Sequence, residues 1–167
     1  MYRVILSAND TVDNRNNTIA NVSFTLDRTP PNVSTFFMNI SNASSFLVGS
    51  NAIIVINATL NDSLTTVQEV TLGFLNSVNN SQFNITATKQ GSYWYTNLSL
   101  APLTAGQYTI QLYGNDTLGN VNNSVANLSF TINSAPTITY VSSVPSQSII
   151  EAGTINVNIS FTASDPN

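Results

Sequence analysis

Residues 155–163 alternate without a break: Ile155, Val157, Ile159, Phe161 and Ala163 against Asn156, Asn158, Ser160 and Thr162. A period of two places each set on its own face of a β-strand, because successive Cβ atoms point to opposite sides. A helix would scatter both sets around its circumference. The same pattern runs through 52–60, where Ile54, Ile56, Ala58 and Leu60 share a face, although Ile53 and Val55 blur the other. Further strands are expected near 33–38 and at 67–75, 82–88, 93–100, 107–114 and 124–132. Their inward residues are Val70, Leu72 and Phe74; Phe83, Ile85 and Ala87; Trp94, Leu98 and Leu100; Tyr108, Ile110 and Leu112; and Ala126, Leu128, Phe130 and Ile132. Lys89-Gln90-Gly91-Ser92 and Thr117-Leu118-Gly119-Asn120 read as hairpin turns. No stretch has helical periodicity, so the fold class is all-β.

The pattern is also repeated on a larger scale. Residues 2–30 lie over 108–136 without a gap, and 14 of 29 positions are identical. Tyr2 falls on Tyr108, Asn9-Asp10-Thr11 on Asn115-Asp116-Thr117, Ser23-Phe24-Thr25 on Ser129-Phe130-Thr131, and Pro30 on Pro136. More faintly, Gly49 corresponds to Gly153, Ile54 to Val157, Ile56 to Ile159 and Asp62 to Asp165. A period of this length is that of a domain, not of a solenoid unit. The chain therefore divides into 1–31, the closing strands of one copy; 32–135, a whole copy; and 136–167, the opening strands of a third. Pro30-Pro31 and Pro136 mark the joints, since proline stiffens the chain and removes a ladder donor. The chain opens on the strand-like run Tyr2–Leu6 and closes after another, so it is expected to be a window on a longer chain. Two-strand ends of this kind are marginal in water and are not expected to fold alone.

Composition removes whole classes of function. There are no cysteines and no histidines, hence no disulfide, thiolate nucleophile or imidazole base. Lys and Arg number 4 against 8 Asp and Glu, a net charge of −4, which cannot neutralise a nucleic-acid backbone. No apolar run approaches the roughly 18–20 residues that cross a bilayer. Nor does any arrangement single out a catalytic site, so the chain is not expected to be an enzyme or to hold a cofactor.

Three segments carry a family likeness: Leu103-Thr104-Ala105-Gly106-Gln107-Tyr108 entering a strand; Gly114-Asn115-Asp116-Thr117-Leu118-Gly119-Asn120; and Ala126-Asn127-Leu128-Ser129-Phe130-Thr131-Ile132 before a proline. Their order resembles the tandem immunoglobulin-like repeats of bacterial and archaeal cell-surface proteins, and the asparagine load looks archaeal. The resemblance implies antiparallel immunoglobulin-like β-sandwiches, one complete and two partial, with Tyr108 as a tyrosine-corner residue. The departures are the missing cysteines and Trp94 in the fifth strand instead of the third, which exclude an antigen-receptor role. The function implied is a structural repeat of an extracellular filament, stalk or surface layer, with neighbouring copies as partners. The alternatives are an adhesin or carbohydrate-binding module, and an accessory domain of a larger secreted enzyme.

Asn-x-Ser/Thr triplets begin at Asn9, Asn16, Asn21, Asn32, Asn39, Asn42, Asn57, Asn61, Asn79, Asn84, Asn97, Asn115, Asn122, Asn127 and Asn158. A polar strand face of Asn, Ser and Thr generates such triplets by its period alone. Asparagine is depleted in strands, however, and threonine would serve a merely wet face better. The strand sequons also fall opposite the core phase, where an acceptor is accessible. N-linked glycans are therefore expected, supplying hydration that a surface with 7% charged residues lacks. Asp10 with Asp13 could offer hard oxygens to calcium, although the same residues build turns. Trp94, Tyr93, Tyr95 and Tyr113 could form an aromatic platform for sugars, with Trp94 more at home in the core. Lys89 could enter an isopeptide cross-link to an asparagine, though a hairpin turn is its simpler place.

Overall fold

The computed structural model describes residues 1–18, 20–144 and 158–165. The first segment holds β1 (Tyr2–Val4), β2 (Ala8–Asn9), β3 (Arg15–Asn16) and β4 (Val22–Phe24). The central segment holds β5 (Asn32–Met38), β6 (Ser44–Leu47), β7 (Ile53–Asn61), β8 (Val67–Asn76), β9 (Gln82–Thr86), β10 (Thr88–Gln90), β11 (Tyr93–Ser99), β12 (Gly106–Asp116), β13 (Val121–Asn122) and β14 (Leu128–Asn133). The last segment holds β15 (Thr137–Val144) and β16 (Asn158–Ser164). The described residues contain no helix, and none long and apolar enough to cross a membrane. The strand expected at 155–163 is described from Asn158 on; Gly153 and Val157 lie outside the described residues.

The central segment is a β-sandwich. One sheet runs β10-β11-β7-β5, and the other β6-β14-β12-β8-β9, with β13 also paired to β12. All these pairings are antiparallel except β14 with β6. The alternation read from sequence sets the packing: Ile54, Ile56, Ala58 and Leu60 of β7 are buried, as are Val70, Leu72 and Phe74 of β8 and Ile110 and Leu112 of β12. Trp94, Tyr108 and Phe130 are buried with them. The Tyr108 and Phe130 rings stack at 5.1 Å, and the Tyr108 hydroxyl donates to the Thr104 carbonyl at 3.1 Å. Its ring thus lies in the core and its hydroxyl ties down the turn before β12.

Local details depart from the sequence reading. Ala87 splits the expected 82–88 strand: it is buried, its N–H donates to Val70 O at 2.8 Å, and the chain then crosses to the other sheet as β10. Lys89 accordingly pairs with Trp94 inside β10, not in the turn, and its Nζ lies 5.5 Å from the Trp94 ring. β14 begins only at Leu128, because the Asn122 side chain accepts from the Ser124 N–H and hydroxyl and holds a turn there. Ala126 is therefore exposed. The short β6 was not anticipated, since Ser-Ser-Phe-Leu carries too little alternation.

Both end segments reproduce pairings of the central sandwich. β1 pairs with β4 as Tyr2↔Phe24, Arg3↔Ser23 and Val4↔Val22. Moved 106 positions along the sequence, these become Tyr108↔Phe130, Thr109↔Ser129 and Ile110↔Leu128, the register of β12 with β14. β2 and β3 match β12 and β13 in the same way. The turns agree too: Asp10 accepts from Val12 N and Asn14 N, and Asp116 from Leu118 N and Asn120 N, all at 2.8–2.9 Å. At the other end, β15 with β16 repeats the register of β5 with β7. Each pair has an irregularity at the matching place, Val33/Thr35 and Ile138/Tyr140. What differs is cover. Tyr2, Val22, Phe24, Ile159 and Phe161 are exposed.

Candidate functional site

The segment joining β4 to β5 is anchored on the central sandwich. Asp27 is buried, with Oδ1 accepting from the Thr29 N–H at 2.9 Å and its hydroxyl at 2.7 Å. Pro31 O accepts from Asn122 Nδ2 at 2.8 Å. Asp62 closes the turn after β7, with Oδ1 accepting from Leu64 N and Thr65 N, each at 2.8 Å. Asp116, fully buried, ends β12 where a register irregularity between Asn115 and Asp116 lies beside the turn. These three folding requirements converge. Carboxylate oxygens of Asp27, Asp62 and Asp116 all lie within 4.8 Å of one another.

The Thr65 hydroxyl stands among them, 3.2 Å from Asp27 Oδ2, 3.2 Å from Asp62 Oδ1 and 3.3 Å from Asp116 Oδ2. Its single proton can serve one of them at a time. Burial pushes the Asp116 carboxyl up, but the Asn120 side chain, the Asn120 and Leu118 N–H groups and the Thr65 hydroxyl outweigh it, and the net shift is downward. The Thr65 and Leu64 N–H groups lower Asp62, against burial and the Asp116 charge. Three carboxylates are hard oxygen donors of the type calcium takes. Among the described residues they are the one such grouping, and hydrogen bonds within the turns already engage each of them.

Groups depressed in the folded state stabilise it above their unfolded pKa of about 4, and that contribution is lost as pH falls through the folded values. The melting temperature is therefore expected to be level near neutrality and to fall as pH drops below about 4. Thermal melts across that range check this; a protein most stable in acid would contradict it.

The structure separates the residues singled out from sequence. Asp10 and Asp13 are outside the cluster: both Asp10 oxygens accept from Val12 and Asn14, and Asp13 accepts from Asn9 Nδ2 at 3.0 Å. They serve the turn. The four aromatics do not form one platform. Trp94 is in the core, Tyr93 and Tyr95 lie on the outer face of its sheet, and Tyr113 belongs to the opposite sheet, bonded to Gln111. Of the sequon asparagines, Asn57, Asn115 and Asn122 are half-buried and the others exposed. The Nδ2 atoms of Asn9, Asn79 and Asn122 already donate, to Asp13, Thr104 and Pro31. At Asn57 and Asn97 the intervening Ala58 and Leu98 are buried, as the period requires. The Asp27–Asp62–Asp116 cluster was missed because its members are far apart in sequence. The available signal was that Asp116 repeats Asp10 and Asp165 repeats Asp62.

No protein-family model and no curated protein matches the chain. Among solved structures it is similar to an engineered protein at 14% identity, over 65% of this chain and 21% of that one, with a TM-score of 0.41. It is also similar to CopC from Methylosinus trichosporium OB3b, at 13% identity over 60% of this chain and 95% of that one, with a TM-score of 0.37.

Proposed function

We propose that the chain is a structural repeat of an extracellular, N-glycosylated surface filament, stalk or surface-layer protein, built from immunoglobulin-like sandwiches and partnered by its neighbouring copies. The observation that carries this is the recurrence of β12–β14 register in β1–β4 and of β5–β7 register, irregularity included, in β15–β16. Shared registers and shared turn bonds are what a repeated unit would give, and they support this reading. The anchored joint adds to it, because Asp27–Thr65 and Pro31–Asn122 bonds hold one unit's end on the next and favour a stiff string over a flexible one. The dispersed, accessible sequons support glycosylation at many points instead of one recognition site.

Native surface material tests both halves. Strand β12 has 11 residues, about 37 Å at ~3.4 Å per residue. Copies laid end to end should therefore repeat every roughly 35–45 Å along a fibre, visible by imaging or diffraction. Intact mass should exceed that of the polypeptide, with sugar on Asn57, Asn84, Asn97 and Asn127 and little at Asn122, whose amide nitrogen holds Pro31. A bare polypeptide mass would end the glycosylation reading, and a globular monomer from the full-length protein would end the filament reading.

A further inference from the structure

Asn57 is a half-buried sequon asparagine flanked by aromatic residues on both neighbouring strands. It lies in β7 directly between Phe37 of β5 and Tyr95 of β11. Phe37, Asn57, Thr59 and Tyr93 line a shallow cleft of about 330 Å³ on the outer face of the sheet. The cleft thus contains the acceptor amide, the hydroxyl residue of the same sequon and two aromatic rings. Phe37 is 51% exposed and Tyr93 38%. Covering these rings would remove apolar surface from water, which is favourable. The Asn57 side chain has no hydrogen bond among the described residues that would use its Nδ2.

A pyranose ring suits such a surface. It has a C–H face, which an aromatic ring attracts through its negative π-face, and a hydroxyl edge that stays in water. We propose that the first sugar linked to Asn57 lies in this cleft against Phe37 and Tyr93, so that this glycan is a packed part of the sandwich. The proposal rests on the glycosylation reading above. Attachment replaces one Nδ2–H by a bond to the sugar's C1, as the C1–O bond of an activated glycosyl diphosphate breaks and the departing diphosphate takes the proton. Asn97 provides the contrast. It is exposed on β11, faces Val55 across the ladder, and has no ring opposite it.

The test compares Asn57→Gln with Asn97→Gln in the native glycosylated chain, alone and in a Phe37→Thr background, with site-resolved mass spectrometry. Asn57→Gln should lower the melting temperature by several degrees and Asn97→Gln should leave it unchanged. The Asn57 effect should shrink once Phe37 is replaced. The same Asn57→Gln change in chain made without glycosylation should be neutral, which separates the sugar from the amide. Sugar present on Asn57 with equal melting shifts for the two variants would overturn the packing and leave glycosylation standing. So would a full Asn57→Gln cost in unglycosylated chain, or a bare Asn57 beside occupied sequons. Sugar missing from every sequon would overturn both.

Discussion

Replacing Gly106 with alanine is expected to destabilise the central sandwich by about 2–5 kcal/mol, which for a domain of this size is a drop of roughly 10–30 °C in melting temperature. Two penalties combine. Gly106 has φ 141°, a backbone conformation that costs an L-residue about 1–3 kcal/mol. A Cβ there would also run into the side chain of Asn76. Asn76 cannot yield easily, because it is fully buried and fully used: Oδ1 accepts from Val78 N at 2.9 Å, and Nδ2 donates to Ala105 O at 3.1 Å. Moving it would leave buried polar groups unpaired. Gly91 is the control. It also has positive φ, 59°, but a Cβ there meets nothing within 4 Å, so Gly91→Ala should cost only the conformational part, about 1–2 kcal/mol. Equilibrium unfolding of both variants checks the difference. Equal costs would mean that Asn76 moves aside freely.

The legibility of this chain depended on the range of each signal. Period-two alternation is local, and it located most of the strands and the burial of Trp94, Tyr108 and Phe130. The hydroxyl bond of Tyr108 to Thr104 was legible for the same reason, since four residues separate them. Sheet membership was not. Ala87 looks like any inward strand residue, and only the three-dimensional crossing shows that Thr88 has changed sheets. β6 escaped because a four-residue edge strand needs its partner β14 to define it. The carboxylate cluster failed differently. Asp27, Asp62 and Asp116 each accept hydrogen bonds in a local turn, yet sequence cannot say that three turns meet. Conversely, Asp10 and Asp13 are close in sequence and suggested a shared ion, whereas a tight turn gives each carboxylate backbone or side-chain donors of its own.

The sharpest difference between positions of matching register is Phe24 against Phe130. Each pairs with a tyrosine across its hairpin and stacks on it, at 5.3 Å and 5.1 Å between ring centroids. Phe130 is completely buried, while Phe24 is 52% exposed. Register alone therefore does not bury a ring; the facing sheet does. Truncating Phe130 to alanine should cost about 3–5 kcal/mol, the usual range for a core aromatic. Phe24→Ala should change the melting of the 167-residue chain by less than about 0.5 kcal/mol, as an exposed site away from the core does. If the two positions are one position in successive copies, supplying the missing strands must equalise them. Residues 32–107 placed ahead of Tyr2, in place of Met1, provide those strands in register, because Tyr2 corresponds to Tyr108. In that longer chain the first β1–β4 hairpin gains a facing sheet, and Phe24→Ala should rise to the same 3–5 kcal/mol as Phe130→Ala. Unfolding of the two variants in both chain lengths gives the four values needed. A Phe24 cost that stays small in the extended chain, with the added residues folded, would show that the shared register does not make the two hairpins equivalent parts of one repeat.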